Sequence, residues 1–103
     1  MKQVDESSNE KEIELSIGET LEVRLQENRT TGYRWVFESQ GGPACPYFID
    51  TFEPGAGVGA PGTHRWEFRA EQAGKADIAL SYRRPWEESE VSRRFTVHVR
   101  VSG

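Results

Sequence analysis

The stretch Glu12-Ile13-Glu14-Leu15-Ser16-Ile17-Gly18-Glu19-Thr20-Leu21-Glu22-Val23-Arg24-Leu25 decides the fold class. Apolar side chains stand at every second position on both sides of Gly18-Glu19, with charged or polar residues between them. A period of two places Ile13, Leu15 and Ile17, then Leu21, Val23 and Leu25, on one sheet face and the charges on the other. An amphipathic helix needs apolar residues at three- and four-residue spacing, and no window of the chain sustains that beyond a single turn. The stretch therefore reads as two strands joined by a tight turn.

The same alternation continues outward from it. Trp35 and Phe37 carry it, then Trp66 and Phe68, then Ala76, Ile78, Leu80 and Tyr82, and finally Phe95, Val97, Val99 and Val101. This gives seven strands, at approximately 11–17, 20–26, 33–38, 47–53, 63–70, 75–82 and 93–101. Short strands at regular spacing with Gly and Pro between them predict an all-β sandwich of about seven antiparallel strands. A barrel is the alternative, since periodicity does not see how a sheet closes. Residues 1–10 are polar and read as a flexible arm, leaving residues 11–103 as a single domain.

Composition narrows the function classes. The chain has 103 residues, and 13 Lys plus Arg against 17 Asp plus Glu leave a formal charge of −4. Net acidity without a basic block argues against nucleic-acid binding, which rests on neutralising phosphates. No apolar run approaches the ~20 residues that span a bilayer, so no membrane partner is expected. Cys45 is the single cysteine, so neither an internal disulfide nor a cysteine-based zinc site is available. No cofactor or metal is expected, and the reading is of a soluble monomer. No apolar signal region follows Met1, which fits a cytoplasmic chain or a periplasmic or secreted one whose signal was removed.

Three connections are unlike ordinary turns. The second reads Glu27-Asn28-Arg29-Thr30-Thr31-Gly32, the fourth Pro54-Gly55-Ala56-Gly57-Val58-Gly59-Ala60-Pro61-Gly62, and the sixth Arg83-Arg84-Pro85-Trp86-Glu87-Glu88-Ser89-Glu90-Val91-Ser92. If every connection reverses the chain, these three emerge at one end, and loops on a rigid scaffold are where binding residues concentrate. Trp86 in a polar loop is a candidate interface anchor; the alternative is that it folds back onto the sandwich edge. Thr30-Thr31-Gly32 is small and uncharged, so it enters a narrow cleft at little desolvation cost. The glycine-rich fourth connection lacks the Gly-Lys-Ser/Thr ending of a phosphate loop.

These loops, in this order, resemble those of the chagasin family of cysteine protease inhibitors. That family carries an Asn-Pro-Thr-Thr-Gly loop, a Gly-x-Gly-Gly loop and an Arg-Pro-Trp loop on an immunoglobulin-like fold. The first is matched by Asn28-Arg29-Thr30-Thr31-Gly32, with Arg29 in place of proline, and continues into Tyr33-Arg34-Trp35. The second is degenerate, Gly59-Ala60-Pro61-Gly62, with Pro61 in place of a glycine; the third is intact at Arg84-Pro85-Trp86. The resemblance implies reversible, tight inhibition of papain-like proteases such as papain and cathepsin L-like enzymes. It also implies that Thr30, Thr31 and Gly32 enter the catalytic cleft, Thr31 nearest the thiolate, while the other two loops grip its flanks.

An enzyme needs a nucleophile oriented by a base. Cys45 lies far in sequence from His64 and His98, both of which are expected to point outward from their strands. A second reading is an immunoglobulin-like adhesion or carbohydrate-binding module that uses the same loops, with Trp86 stacked on its ligand. Asn28-Arg29-Thr30 also fits the N-glycosylation pattern, and a glycan there would cap the loop proposed to bind.

Overall fold

The computed structural model describes residues 1–57, 59–87 and 89–103. Val58 and Glu88, which the sequence places in the fourth and sixth connections, lie outside the described residues. Eight strands follow one another: β1 (Lys2–Val4), β2 (Glu12–Ser16), β3 (Thr20–Glu27), β4 (Arg34–Gln40), β5 (Tyr47–Glu53), β6 (Gly62–Arg69), β7 (Gly74–Arg83) and β8 (Val91–Ser102). They form two four-stranded sheets, ordered β1-β3-β6-β5 and β2-β8-β7-β4. The fold is thus an immunoglobulin-like sandwich, and the barrel alternative falls because the sheets remain separate.

Alternation accounts for the core. Leu21, Val23 and Leu25 of β3 and Trp66 and Phe68 of β6 face Leu15, Trp35, Ile78, Leu80, Phe95, Val97 and Val99 of the opposite sheet in one buried cluster. Each fully buried side chain of this size contributes about 1.5–3 kcal/mol, which is how a chain without a disulfide holds two sheets together.

Two features correct the sequence reading. First, residues 1–10 are not a free arm. Lys2–Val4 pair with Leu21–Val23 of β3, and Val4 is buried. A single 3-10 turn, Glu6–Ser8, then carries the chain across to the other sheet. Asp5 caps it by accepting from the Ser7 amide at 2.9 Å, while the Ser8 hydroxyl accepts from the Asp5 amide. Beyond it, the Asn9 side chain accepts from the Thr96 amide at 2.8 Å. Second, the strands are not all antiparallel: β1 runs parallel to β3, and β2 parallel to β8.

Register sets where the loops emerge. Glu27 sits opposite Gly62 and Glu53 opposite Thr63 in one sheet; Arg34 sits opposite Arg83, and Arg83 opposite Val91, in the other. The β3–β4, β5–β6 and β7–β8 connections therefore leave the sandwich at one end. Among the described residues no helix is long and apolar enough to cross a membrane.

Candidate functional site

The β3–β4 loop is built as a closed turn. Asn28 caps a 3-10 turn over Arg29–Thr31, and its side-chain oxygen accepts from the Thr30 amide at 3.1 Å and the Thr30 hydroxyl at 2.6 Å. The Thr31 hydroxyl donates to the Asn28 carbonyl at 2.9 Å, and the Gly32 amide donates to the Arg29 carbonyl at 3.2 Å. Gly32 ends the turn at φ +83°, a left-handed conformation that suits glycine because a Cβ there would crowd the backbone. These bonds supply the order that a proline at position 29 would otherwise impose through its fixed φ. Thr30 and Thr31 form the exposed apex.

Arg29 turns back onto the scaffold. Its Nε donates to the Glu27 carboxylate at 2.8 Å, and its guanidinium lies 4.0 Å from the centroid of the Phe52 ring. Beneath it, Glu27 is fully buried. Its carboxylate also accepts from the Trp35 amide at 2.7 Å and faces His64 Nδ1 at 3.2 Å. Burial alone would push this carboxyl up. Hydrogen bonds from His64, the Trp35 amide and Arg29 outweigh it and hold the group at about 2.

His64 departs from expectation. It faces the core, stacked on Trp66 with ring centroids 3.9 Å apart, and its Nε2 meets the Asp50 carboxylate. It shares the parity of Trp66 and Phe68, so the alternation itself placed it inward. Burial favours its neutral form, but hydrogen bonds to Glu27 and Asp50 outweigh that and raise its pKa. Glu27 shares the parity of Leu21, Val23 and Leu25. An acid and an imidazole, both on core-facing positions, were the sequence signals that pointed to this cluster.

The β7–β8 loop meets the β3–β4 loop directly. Arg84 Nε donates to the Thr31 carbonyl at 3.4 Å, and its guanidinium lies 4.8 Å from the Tyr33 ring centroid. A Cβ at Gly32 would lie 3.2 Å from the edge of the Trp86 ring. Trp86 is nevertheless 70% exposed, so it does not fold back onto the sandwich. Tyr82, at the end of β7, holds the loop from below by accepting from the Asn28 amide at 2.9 Å. Sequence reasoning did not identify that role.

The β5–β6 loop meets the β3–β4 loop at its base. Gly62 is buried opposite Glu27, and a Cβ there would lie 2.4 Å from the Phe52 ring and 2.5 Å from the Glu53 carbonyl. It is therefore packed tightly against the neighbouring strand. Gly59 and Pro61 are exposed and Ala60 is half-buried. Among the described residues, none of these three hydrogen-bonds the other loops. The loop is pinched where a Cβ on Gly55 would lie 2.1 Å from the Pro61 carbonyl oxygen.

Cys45 is buried, and burial followed by the nearby Glu71 charge pushes its thiol up to about 11. A thiol in that state is not a nucleophile at neutral pH.

Fold and site together define a rigid two-sheet scaffold that presents an uncharged apex and an exposed tryptophan at one end. The comparisons with known proteins give that class a family. A family model described as chagasin family peptidase inhibitor I42 matches residues 14–101, and the chain belongs to that family. It is 37% identical to Amoebiasin-1 of Entamoeba histolytica over 98 residues, covering 93% of this chain and 95% of that one. It is 32% identical to Chagasin of Trypanosoma cruzi over 107 residues, covering 96% of each. Its fold superimposes on the crystal structure of a cysteine protease inhibitor from Entamoeba histolytica with a TM-score of 0.86, at 23% identity over 98% of this chain and 95% of that one.

Proposed function

We propose that the chain is a reversible, tight-binding inhibitor of papain-like cysteine proteases, with the β3–β4 loop as the wedge that fills the catalytic cleft. Thr30, Thr31 and Gly32 are the inserted residues. Arg84, Pro85 and Trp86 grip one wall, and Gly59, Ala60 and Pro61 the other. The observation that carries this reading is the contact between the loops: Trp86 lies against Gly32 while leaving most of its ring in solvent. A large aromatic in that position offers a partner a preformed anchor.

The turn is also expected to resist cleavage. A protease hydrolyses a segment laid out extended in its cleft, whereas the wedge is a 3-10 turn closed by its own side chains and ending in a left-handed glycine. Thr30 and Thr31 contribute hydroxyls and no charge, so burying the apex against a thiolate–imidazolium pair carries little desolvation penalty.

Titration of active-site-calibrated papain and a cathepsin L-like protease, read with a fluorogenic peptide, tests the reading. The expected result is stoichiometric, reversible loss of activity with the inhibitor recovered uncut at Thr31. Full protease activity at micromolar inhibitor, or cleavage within residues 28–33, would overturn it.

A further inference from the structure

Glu27 and His64 lie beneath the wedge rather than in it, and neither is part of the contact surface proposed above. Glu27 closes the neck of the loop. It sits at the end of β3, yet its carboxylate accepts the backbone amide of Trp35, eight residues later on β4, at 2.7 Å. A second tie lies beside it, from the Trp35 indole nitrogen to the Gln26 carbonyl at 2.8 Å. The other carboxylate oxygen holds Arg29, the first residue of the turn, at 2.8 Å. One buried group thus fixes both the entry and the exit of the inserted turn.

An isolated buried carboxylate is strongly destabilising, and His64 offsets that from below. Its Nδ1 faces Glu27 at 3.2 Å and its Nε2 faces Asp50. Only the imidazolium has a donor at both nitrogens. The charged groups around the ring are Glu27 from β3, Asp50 from β5 and, through Glu27, Arg29 from the loop; Trp66 stacks on it and Phe52 meets it edge-on. Two carboxylates and two cations make this cluster neutral.

We propose that Glu27 and His64 are positioning residues for inhibition: the carboxylate clamps the neck of the wedge, and the protonated ring beneath keeps that carboxylate in place. This rests on the inhibitor reading. Loss of the His64 proton would turn one ring nitrogen into an acceptor facing a carboxylate oxygen, loosening the clamp. Because the folded protein raises the His64 pKa, the clamp is intact below the ordinary histidine range and is lost as pH rises through the raised value.

The test compares wild type with Glu27→Gln, His64→Gln and Asp50→Asn. Two quantities are read from about pH 5 to about pH 9: the inhibition constant for papain, and amide hydrogen exchange at Thr30, Gly32 and Trp35 in the free protein. Each variant is expressed as a ratio to wild type at the same pH, which cancels the protease's own titration. Glu27→Gln is expected to weaken inhibition about tenfold or more, through faster dissociation, and to speed Trp35 and Gly32 exchange. His64→Gln should remove the alkaline fall in inhibition that wild type shows. Asp50→Asn acts at the outer, solvent-facing end of the cluster and should move that fall to lower pH, which a purely structural role would not do. The proposal is overturned if wild type inhibits while Glu27→Gln stays within about twofold of it and Asp50→Asn follows the wild-type profile. If wild type does not inhibit papain, the functional reading fails. The exchange ratios then decide the clamp alone, and unchanged protection in Glu27→Gln and Asp50→Asn overturns it.

Discussion

Trp86 and Gly32 divide the proposed binding end into an anchor and the space that anchor needs. With 70% of its surface in solvent, Trp86 contributes little to the core, so Trp86→Ala should leave the melting temperature unchanged. The same change should weaken protease inhibition by about 1–3 kcal/mol, the range for a truncated aromatic hot spot. A sharp fall in melting temperature would place Trp86 in the fold instead. Gly32→Ala is different because it acts on both. At φ +83° a side chain is strained by about 1–2 kcal/mol, and the added methyl would lie 3.2 Å from the Trp86 ring. The expected outcome is a melting temperature lower by several degrees together with weaker inhibition. Thermal unfolding and inhibition titration of the one variant read the two effects separately.

At the scale of elements, seven strands were legible to within two residues at every end; six of them carry apolar residues of one parity, whereas β5, Tyr47–Glu53, mixes apolar residues of both parities. β1 was not legible. Lys2-Gln3-Val4 has one apolar residue and therefore no period, and its pairing partner is β3, nearly twenty residues further along. The parallel pairing of β2 with β8 was hidden for a related reason, because alternation is the same in parallel and antiparallel strands. The three loops proposed to bind were legible as loops from their Gly, Pro and Thr content. The cluster beneath them was missed where parity was read for apolar residues only: Glu27 and His64 sit on core-facing positions that the pattern assigns to Leu or Val. The N-terminal strand carries its own prediction. Val4→Ala removes two buried methyl-sized groups at ~0.8 kcal/mol each, so stability should fall by about 1–2 kcal/mol. Denaturant unfolding should show a lower midpoint with an unchanged slope. An unchanged midpoint would mean that β1 is not bound to the sheet in solution.

At the scale of the whole molecule, stability and binding are kept at opposite ends of the same scaffold's chemistry. The target class works through a reduced thiol, and an inhibitor that needs no disulfide keeps its fold wherever that thiol is kept reduced. This chain has one cysteine and holds together through the apolar core between its two sheets. That cysteine is buried on the 41–46 connection, where the Cys45 amide donates to the Gly41 carbonyl at 2.8 Å. Its thiol is pushed up to about 11 by burial and then by Glu71. A thiolate is required to attack a disulfide, so the native protein should not react with an aromatic disulfide reagent at neutral pH, while the chain unfolded in denaturant should release one equivalent of chromophore. Inhibition should likewise be the same with and without a thiol reductant once the protease is activated, and Cys45→Ala should inhibit as wild type does. Rapid labelling of the native protein would show that the 41–46 connection opens readily. Loss of inhibition in Cys45→Ala with an unchanged melting temperature would mean that the thiol takes part in inhibition, against a purely non-covalent wedge.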